Sequence, residues 1–150
     1  MNASTCSKSL VLVLLAIVGS IACDRRENHY AKRSDLGDAI RRGWIPSWVV
    51  SDATDIREMH DLDTNRYCGV FTFSTAGAAE LTAACNDAEI VEQRHPRERP
   101  TYWWPRELIR GHTKGSRFRV VICKGPNDRY GDYAAIDAQA SKAYFWWLPG

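Results

Sequence analysis

The stretch that decides the fold is WIPSWVVSDATDIREMHDLDTNRYCGVFTF, which runs from Trp44 to Phe73. Its first part is aromatic and stiff, because Pro46 fixes its own φ angle and restricts the backbone of Ile45. The segment is therefore predicted to be extended and to hold the indoles of Trp44 and Trp48 in defined positions. Both tryptophans are candidates for an interaction surface.

The middle of this stretch has a helical pattern. Ser51 or Asp52 is a suitable N-cap, because its side-chain oxygen can accept the free N–H groups of a first helical turn. The apolar positions that follow recur every three residues, at Ala53, Ile56 and Met59. This spacing predicts an amphipathic helix from 51 to about 60.

The end of the stretch is a polar turn followed by an apolar strand. Residues 61–65 read DLDTN, and the side chains of Asp, Thr and Asn bond readily to nearby backbone groups in turns. Residues 67–73 then alternate between two faces, with aromatic side chains on one of them. This alternation predicts a strand.

The rest of the chain predicts a small mixed fold. Further helices are predicted at 35–42, at 76–88, and in a short segment that begins at Pro105 and ends at Gly111. Further strands, joined as a meander by turns at 125–128 and 138–141, are predicted at 117–124, 132–137 and 143–148. The strand at 67–73 is expected to join their sheet. The predicted fold class is α+β, with a small antiparallel sheet of about four strands and two or three short helices.

The first 23 residues have the pattern of a secretory signal. Lys8 is the only charged residue before an unbroken apolar run at 10–18, which is too short to span a bilayer but suits a signal peptide. Small residues at 19, 20 and 22 lead directly to Cys23. This ending resembles the lipobox of bacterial lipoproteins, whose cysteine receives a diacylglycerol and becomes the acylated N-terminus after cleavage. The alternative is an ordinary secretory signal in which Cys23 is unmodified.

The lipobox resemblance implies three parts of the chain. They are a lipoprotein signal peptide at 1–22, a lipidated Cys23 with a flexible polar tether at 23–34, and a single α+β domain at 35–150. Such a protein is anchored to a membrane of the cell envelope by its lipid and is not threaded through the bilayer. Asp24 resembles the inner-membrane retention signal of enteric lipoproteins, which favours the periplasmic face of the inner membrane.

Three cysteines remain after the signal peptide and Cys23, namely Cys68, Cys85 and Cys123. An oxidising envelope compartment predicts one disulfide and one free thiol among them. Cys85 falls on the apolar face of the predicted helix at 76–88, so we expect it in the pair. Its partner is Cys123 or Cys68, with Cys123 favoured.

A second resemblance lies in the central stretch itself. The WIP run at 44–46 and SDATDIREMHDLDTN at 51–65 are similar to a SAxxIxExHDLDTN pattern in small uncharacterised bacterial envelope lipoproteins. This resemblance implies the same location and type of domain. It implies no activity, cofactor or site residue.

The turn at 61–65 contains a partial calcium-loop pattern. Asp61, Asp63 and Asn65 have the one, three, five spacing that opens an EF-hand loop. The sixth position is Arg66 where glycine is needed, and the twelfth is Thr72 where a bidentate Glu is needed. We therefore interpret the three residues as turn formers and predict no metal site.

Catalytic residue types occur nearby without a catalytic motif. His60 beside Asp61 has the composition of an oriented general base, and Cys68 is a conceivable nucleophile. The chain lacks GxSxG, HExxH, P-loop and dinucleotide motifs, so we assign no catalytic residue and no cofactor. His60 is instead placed in a candidate interaction surface with the two tryptophans and the turn: Trp44, Trp48, His60, Asp61, Asp63 and Asn65.

Charge limits the range of partners. All 18 acidic residues and all basic residues except Lys8 lie from Asp24 onward, so the mature chain carries almost no net charge. Nucleic-acid binding normally needs a basic excess, and we predict no such partner.

Taken together, these features of the sequence indicate a lipid-anchored envelope protein with a non-catalytic binding domain, whose partner is an envelope protein or a cell-wall glycan. The alternatives are an envelope hydrolase that uses His60 and nearby carboxylates, and a glycan-binding module that uses surface tryptophans.

Overall fold

A computed structural model describes residues 25–88, 95–96, 100–110, 117–124 and 131–147. The predicted signal peptide, Cys23 and Asp24 lie outside the described residues, as do Gly111 and the turn at 125–128. The lipidation, the division into domains and the location therefore stay predictions. No helix in the described ranges is long and apolar enough to cross a membrane.

One seven-stranded antiparallel sheet dominates the described chain, with the strand order β1-β2-β3-β7-β6-β5-β4. The strands are β1 (Arg25–Lys32), β2 (Thr54–Asp61), β3 (Arg66–Thr72), β4 (Cys85–Asp87), β5 (Arg119–Cys123), β6 (Asp132–Asp137) and β7 (Lys142–Trp147). The helices are α1 (Gly37–Arg41) and α2 (Thr75–Ala84), with 3-10 turns at Arg33–Leu36 and Arg106–Leu108. The predicted α+β class with about four strands was wrong, because β1, β2 and β4 were not foreseen.

The helix predicted at 51–60 is in fact strand β2. It lies between β1 and β3, where Ile56 pairs with Tyr30 on one side and Met59 pairs with Cys68 on the other. Both edges of β2 are thus paired in the sheet. These long-range pairings override the helical spacing of the apolar residues, as commonly happens for short segments with both periodicities.

The flexible tether predicted at 23–34 was also wrong where it is described. Residues 25–32 form β1, which pairs along its whole length with β2, from Arg25 opposite Asp61 to Lys32 opposite Thr54. The polar composition that indicated a tether suits a strand at the edge of a sheet, because charged side chains there protect the open edge.

The strand at 67–73 and the three-stranded meander were predicted correctly. β5, β6 and β7 are consecutive neighbours, and β3 joins them through β7. The helices at 35–42 and 76–88 are confirmed in shortened form as α1 and α2. The short helix expected after Pro105 is a single 3-10 turn.

Asp52 caps a helix, but not the one that was predicted. Its Oδ2 atom accepts hydrogen bonds from the backbone N–H groups of Ser74 and Gly77, both at 3.2 Å, at the start of α2. The backbone N–H of Ser51 donates to Glu80 on the same helix at 2.7 Å. These bonds fasten the segment before β2 to α2.

Both faces of the sheet are covered. The larger core contains α1, α2 and the segment 44–53, and its largest side chains are Leu36, Ile45, Trp48, Ile56, Phe71, Phe73, Leu81 and Phe145. The second core lies under residues 103–109 and contains Met59, Cys68, Trp104, Leu108, Phe118, Tyr144 and Trp146. The disulfide expected between Cys85 and Cys123 is confirmed, and Cys68 is a buried free thiol.

Candidate functional site

Glu58 and His60 form a buried acid–imidazole pair on β2. Side chains two residues apart on a strand project from the same face, so β2 directs both into the larger core. Nδ1 of His60 lies 3.0 Å from Oε2 of Glu58. His60 is 2% exposed and Glu58 is 0% exposed. An imidazole is therefore held by a carboxylate in the interior of the protein.

Asn28 of β1 extends this pair to a network of three side chains. It lies opposite Glu58 in the register of β1 and β2, and its Nδ2 donates to Oε1 of Glu58 at 2.6 Å. A buried carboxylate needs hydrogen-bond donors to offset the loss of water. Asn28 and His60 supply them from two different strands.

Trp44 covers the pair. Gly43 adopts a φ of 76°, which turns the chain after α1, and the backbone N–H of Trp44 then donates to the carbonyl of Ala39 at 3.0 Å. The indole stacks on His60, with ring centroids 4.0 Å apart and planes 12° from parallel. The guanidinium of Arg42 lies 4.9 Å from the centroid of the Trp44 ring. The indole of Trp44 is therefore in contact with other side chains of the protein, His60 and Arg42.

The electrostatics of the pair reflect its burial. Desolvation raises the pKa of Glu58 above its ordinary value, while the hydrogen bonds from Asn28 and His60 act in the opposite direction. Nε2 of His60 is buried and has no hydrogen-bond partner. An imidazole with one nitrogen held by a carboxylate and the other free has the arrangement of a general base. In this fold, however, Nε2 is closed off from solvent.

A second buried network surrounds Asp132 at the start of β6. Trp48 donates from Nε1 to Oδ2 of Asp132 at 2.9 Å, and the hydroxyl of Tyr67 donates to Oδ1. Burial raises the pKa of Asp132, although both hydrogen bonds lower it. Burial also raises the pKa of Tyr67, and the negative charge of Asp132 adds to that effect. These bonds tie the segment 44–53 and β3 to β6.

The residues of the calcium-like pattern form the turn between β2 and β3. Oδ1 of Asp61 accepts the backbone N–H groups of Asp63 and Thr64, both at 3.1 Å. Asn65 has a φ of 51°, a left-handed conformation that Asn tolerates well. The predicted turn role is confirmed. Within the described ranges, no three His, Cys, Asp or Glu side chains are grouped so as to hold a metal ion.

The structure divides the candidate interaction surface into three places. Trp44 and His60 lie together, while Asp61, Asp63 and Asn65 lie at the β2–β3 turn. Trp48 is buried beside Asp132 instead. Sequence reasoning missed Asn28, Tyr67 and Asp132 as partners in the two networks. Asp132 had a signal, because it is an acidic residue at the start of a predicted apolar strand, whereas Asn28 lies in the polar strand β1 and had none.

Cys68 cannot act together with His60. It lies opposite Met59 on the adjacent strand and packs in the second core, whereas His60 projects from the other face of the sheet. Burial raises the pKa of the Cys68 thiol, and the nearby charges of Glu58 and Glu27 raise it further. A thiol of this kind is unreactive.

One aromatic surface lies over the outer strands β1 and β2. Tyr102 is 68% exposed, and its hydroxyl accepts a hydrogen bond from Nη1 of Arg57 at 2.8 Å. The neighbouring Trp103 is half-buried and donates from Nε1 to Oε1 of Glu27 at 2.6 Å. Trp104 and Trp146 are fully buried. Tyr102, Trp103, Arg57 and Glu27 are called the aromatic patch below.

The family model of the YbbD head domain matches residues 24–72. The chain resembles that domain there. The matched region contains β1, α1, β2 and β3, and thus the whole Asn28–Glu58–His60 network together with Trp44. No curated protein and no solved structure gives a significant match to the chain.

Proposed function

We propose that this protein is a lipid-anchored binding domain of the cell envelope and that it catalyses no reaction. The observation that carries the proposal is the burial of Glu58 and His60 beneath Trp44. These two residues have the chemistry that a hydrolase would need, yet the fold uses them to hold β1 and β2 together. A reacting group must come within hydrogen-bond reach of a general base, and nothing in solution reaches Nε2 of His60.

The anchor is supported by the sequence of the N-terminus. The apolar run at 10–18, the small residues after it and Cys23 together resemble a lipobox. Attachment through more than one acyl chain is stable, since each buried methylene contributes about 0.8 kcal/mol. The resemblance of residues 44–65 to envelope lipoproteins and the match to the YbbD head domain support the same location.

Binding is assigned to the open edge of β1. This strand has eight residues, and within the described chain it pairs only with β2. The opposite edge strand is β4, which has three residues and is linked to β5 by the Cys85–Cys123 disulfide. An extended segment of a partner can add to an open edge as a further strand, with backbone hydrogen bonds that supply affinity.

The charges of β1 favour an acidic partner segment. Three of its four charged side chains are cationic, namely Arg25, Arg26 and Lys32, and the fourth is Glu27. Charges on an edge strand also resist indiscriminate pairing with uncharged strands. The edge is therefore selective for extended segments that carry Asp or Glu.

The test is capture of partners from envelope extracts by the full acylated chain, followed by hydrogen exchange on the captured complex. We expect protection of the β1 amides on binding. Arg26→Glu should reduce capture several-fold, while Lys124→Glu should not, because Lys124 is exposed directly after β5, near the opposite edge of the sheet. Hydrolysis of an envelope substrate that is abolished by His60→Gln in a folded variant would contradict the proposal.

A second candidate, binding of cell-wall glycan, is favoured by the aromatic patch. An exposed aromatic ring beside polar groups can stack on a sugar and accept or donate hydrogen bonds at its rim. Tyr102 provides such a ring, and Arg57 donates a hydrogen bond to its hydroxyl. The neighbouring Trp103 donates a hydrogen bond to the carboxylate of Glu27. The tryptophans Trp44 and Trp48 do not serve this purpose, because the first is stacked within the protein and the second is buried.

Co-sedimentation with insoluble peptidoglycan separates the two candidates. Glycan binding predicts that the wild-type protein sediments and that Tyr102→Ala abolishes sedimentation. Leu62→Ala is the matched control, since Leu62 is the other large apolar side chain that is exposed among the described residues. A wild-type protein that remains in the supernatant excludes the glycan candidate.

A further inference from the structure

The structure shortens the predicted tether almost to nothing. Because β1 begins at Arg25, only Asp24 separates it from Cys23. Two residue steps span at most about 7 Å. A lipid on Cys23 would therefore hold the start of β1 directly at the membrane surface, not on a long flexible arm.

The β2–β3 turn lies at this same end of the sheet. Arg25 is paired in register with Asp61, the last residue of β2, and its Nε lies 3.5 Å from Oδ2 of Asp61. The turn at 62–65 follows directly. Leu62, its first residue, is 47% exposed. The anchor position and an exposed leucine thus share one end of the domain.

The side chains at this end suit a membrane surface. Three arginines are exposed there, Arg25, Arg26 and Arg66. Their formal charge is balanced by three aspartates, Asp24, Asp61 and Asp63. Asp61 is engaged with Arg25 and with the backbone of the turn. The end therefore combines an exposed apolar side chain with guanidinium groups, which can form hydrogen bonds with the phosphates of lipid head groups.

We infer that the β2–β3 turn and the start of β1 form a membrane-facing end of the domain, in which Leu62 enters the head-group region and the arginines contact lipid phosphates. The inference rests on the proposed lipid anchor. The sheet then stands away from the bilayer, with the open edge of β1 running outward from the lipid. The β6–β7 turn at 138–141 lies at the far end of the strands, about 25 Å away for strands of eight residues.

Photo-cross-linking to lipid tests this geometry. The full acylated protein is placed in vesicles of phosphatidylethanolamine and phosphatidylglycerol that contain a photoactivatable phospholipid, and labelled residues are identified by mass spectrometry. We expect labels at 25–26 and 61–66 to exceed labels at 137–142 several-fold. Equal labelling of the two ends, or stronger labelling of the far end, would overturn the inference.

Two variants sharpen the result. Leu62→Ser should reduce labelling of the turn several-fold. Tyr102→Ser, which removes the other large apolar side chain that is exposed in the described part of the chain, should leave it unchanged. A long Gly/Ser linker inserted between Asp24 and Arg25 should also reduce it, because the domain would then leave the surface. Unchanged labelling in both the Leu62 and the linker variants would contradict the inference.

The mass of the mature N-terminal peptide separates the two levels of the proposal. Acylated Cys23 with equal labelling of both ends would leave the anchor in place and overturn only the membrane-facing geometry. Unmodified Cys23 would overturn the anchor and the geometry together.

Discussion

The indole of Trp44 lies flat on the imidazole of His60, with ring centroids 4.0 Å apart and planes 12° from parallel. Trp44 follows α1 and His60 lies near the end of β2, so this stack joins the helical segment to the sheet. It also closes the Glu58–His60 pair from solvent. The same contact therefore stabilises the fold and keeps His60 inaccessible as a base.

Trp44→Ala should uncover His60. Complete burial of a tryptophan is worth about 3–5 kcal/mol against alanine, and Trp44 is only half-buried, so we expect a loss of about 2 kcal/mol in the free energy of unfolding. Urea denaturation measures this loss. Diethyl pyrocarbonate should modify His60 in the variant and not in the wild type, while the exposed His29 reacts in both. Equal protection of His60 in both proteins would show that Trp44 is not its cover.

Glu58→Gln should flatten the pH dependence of stability. The pKa of Glu58 is raised in the folded protein, so the folded state binds this proton more tightly than the unfolded state does. Its contribution to the free energy of unfolding is thus full below the ordinary value of 4.5 and falls as the pH rises through the folded value. Gln keeps the acceptor for Asn28 but does not titrate. Urea denaturation across this range measures both slopes, and identical slopes would contradict the prediction.

Asp61→Ala and Asp63→Ala should differ, although both residues are in the same turn pattern. Asp61 accepts two backbone N–H groups, and their loss should cost about 1–2 kcal/mol. Asp63 is exposed, and its substitution should cost less than about 0.5 kcal/mol. Thermal unfolding of both variants checks this difference.

The effect of Asp61 should also depend on pH. Burial alone would raise its pKa, but the hydrogen bonds from Thr64, Arg25 and Asp63 outweigh burial and lower it. Its stabilisation is therefore present above the ordinary carboxyl pKa and is lost as the pH falls through the folded value. A larger loss at Asp63 than at Asp61 would contradict the assigned roles.

Gly69→Ala should be strongly destabilising. A Cβ atom at this position would lie 2.1 Å from Cζ of Phe145 and 2.7 Å from the carbonyl oxygen of Arg57. Overpacking of this kind against a buried ring and backbone costs about 3 kcal/mol. Gly37→Ala is the matched control, because it has right-handed helical angles and nothing within 4 Å of the added Cβ. Chemical denaturation should show that the control is stabilised by about 0.5 kcal/mol, and a neutral Gly69→Ala would contradict the close packing of β3 on β7.

Loss of the disulfide should cost more than loss of the free thiol. Cys85 and Cys123 are 38 positions apart, and the chain-entropy relation gives about 4 kcal/mol for a loop of that length. Replacing both cysteines with serine should lower the free energy of unfolding by nearly that amount. Cys68→Ala removes only one buried sulfur and should cost about 1 kcal/mol. Equal losses in the two variants would contradict the structural role of the disulfide.

Elements with a local signature could be predicted from the sequence. The strands β3, β6 and β7 are apolar runs between turn residues, and α2 follows a serine whose hydroxyl accepts the N–H of Ala76. The turn at 61–65 is also local, because Asp61 bonds to residues two and three positions away. Such features depend on neighbouring residues alone.

Strand β2 shows where that reasoning fails. Ala53, Ile56 and Met59 have the spacing of a helix, while Ile56, Glu58 and His60 have the spacing of a strand. A short segment with both periods is decided by its partners. Those partners are β1 and β3, and β1 had been interpreted as a tether because its residues are polar.

The site could be predicted only in part for the same reason. His60 and Trp44 were selected from their residue types, but their contact and the role of Asn28 were not. Asn28 is 30 positions from Glu58, and Trp48 is 84 positions from Asp132. A polar residue on a predicted strand does not indicate which distant residue donates a hydrogen bond to it.

The amino-acid sequence by itself determined the turn between β2 and β3, the meander of the last three strands and the expectation of a single disulfide. Only the tertiary structure decided that residues 25–32 and 54–61 are strands and that the Glu58–His60 pair is sealed. The physical reason is that turns and helix caps form hydrogen bonds within a few residues. The backbone groups of a strand are paired by segments far away along the chain, and these segments also determine which side chains are buried.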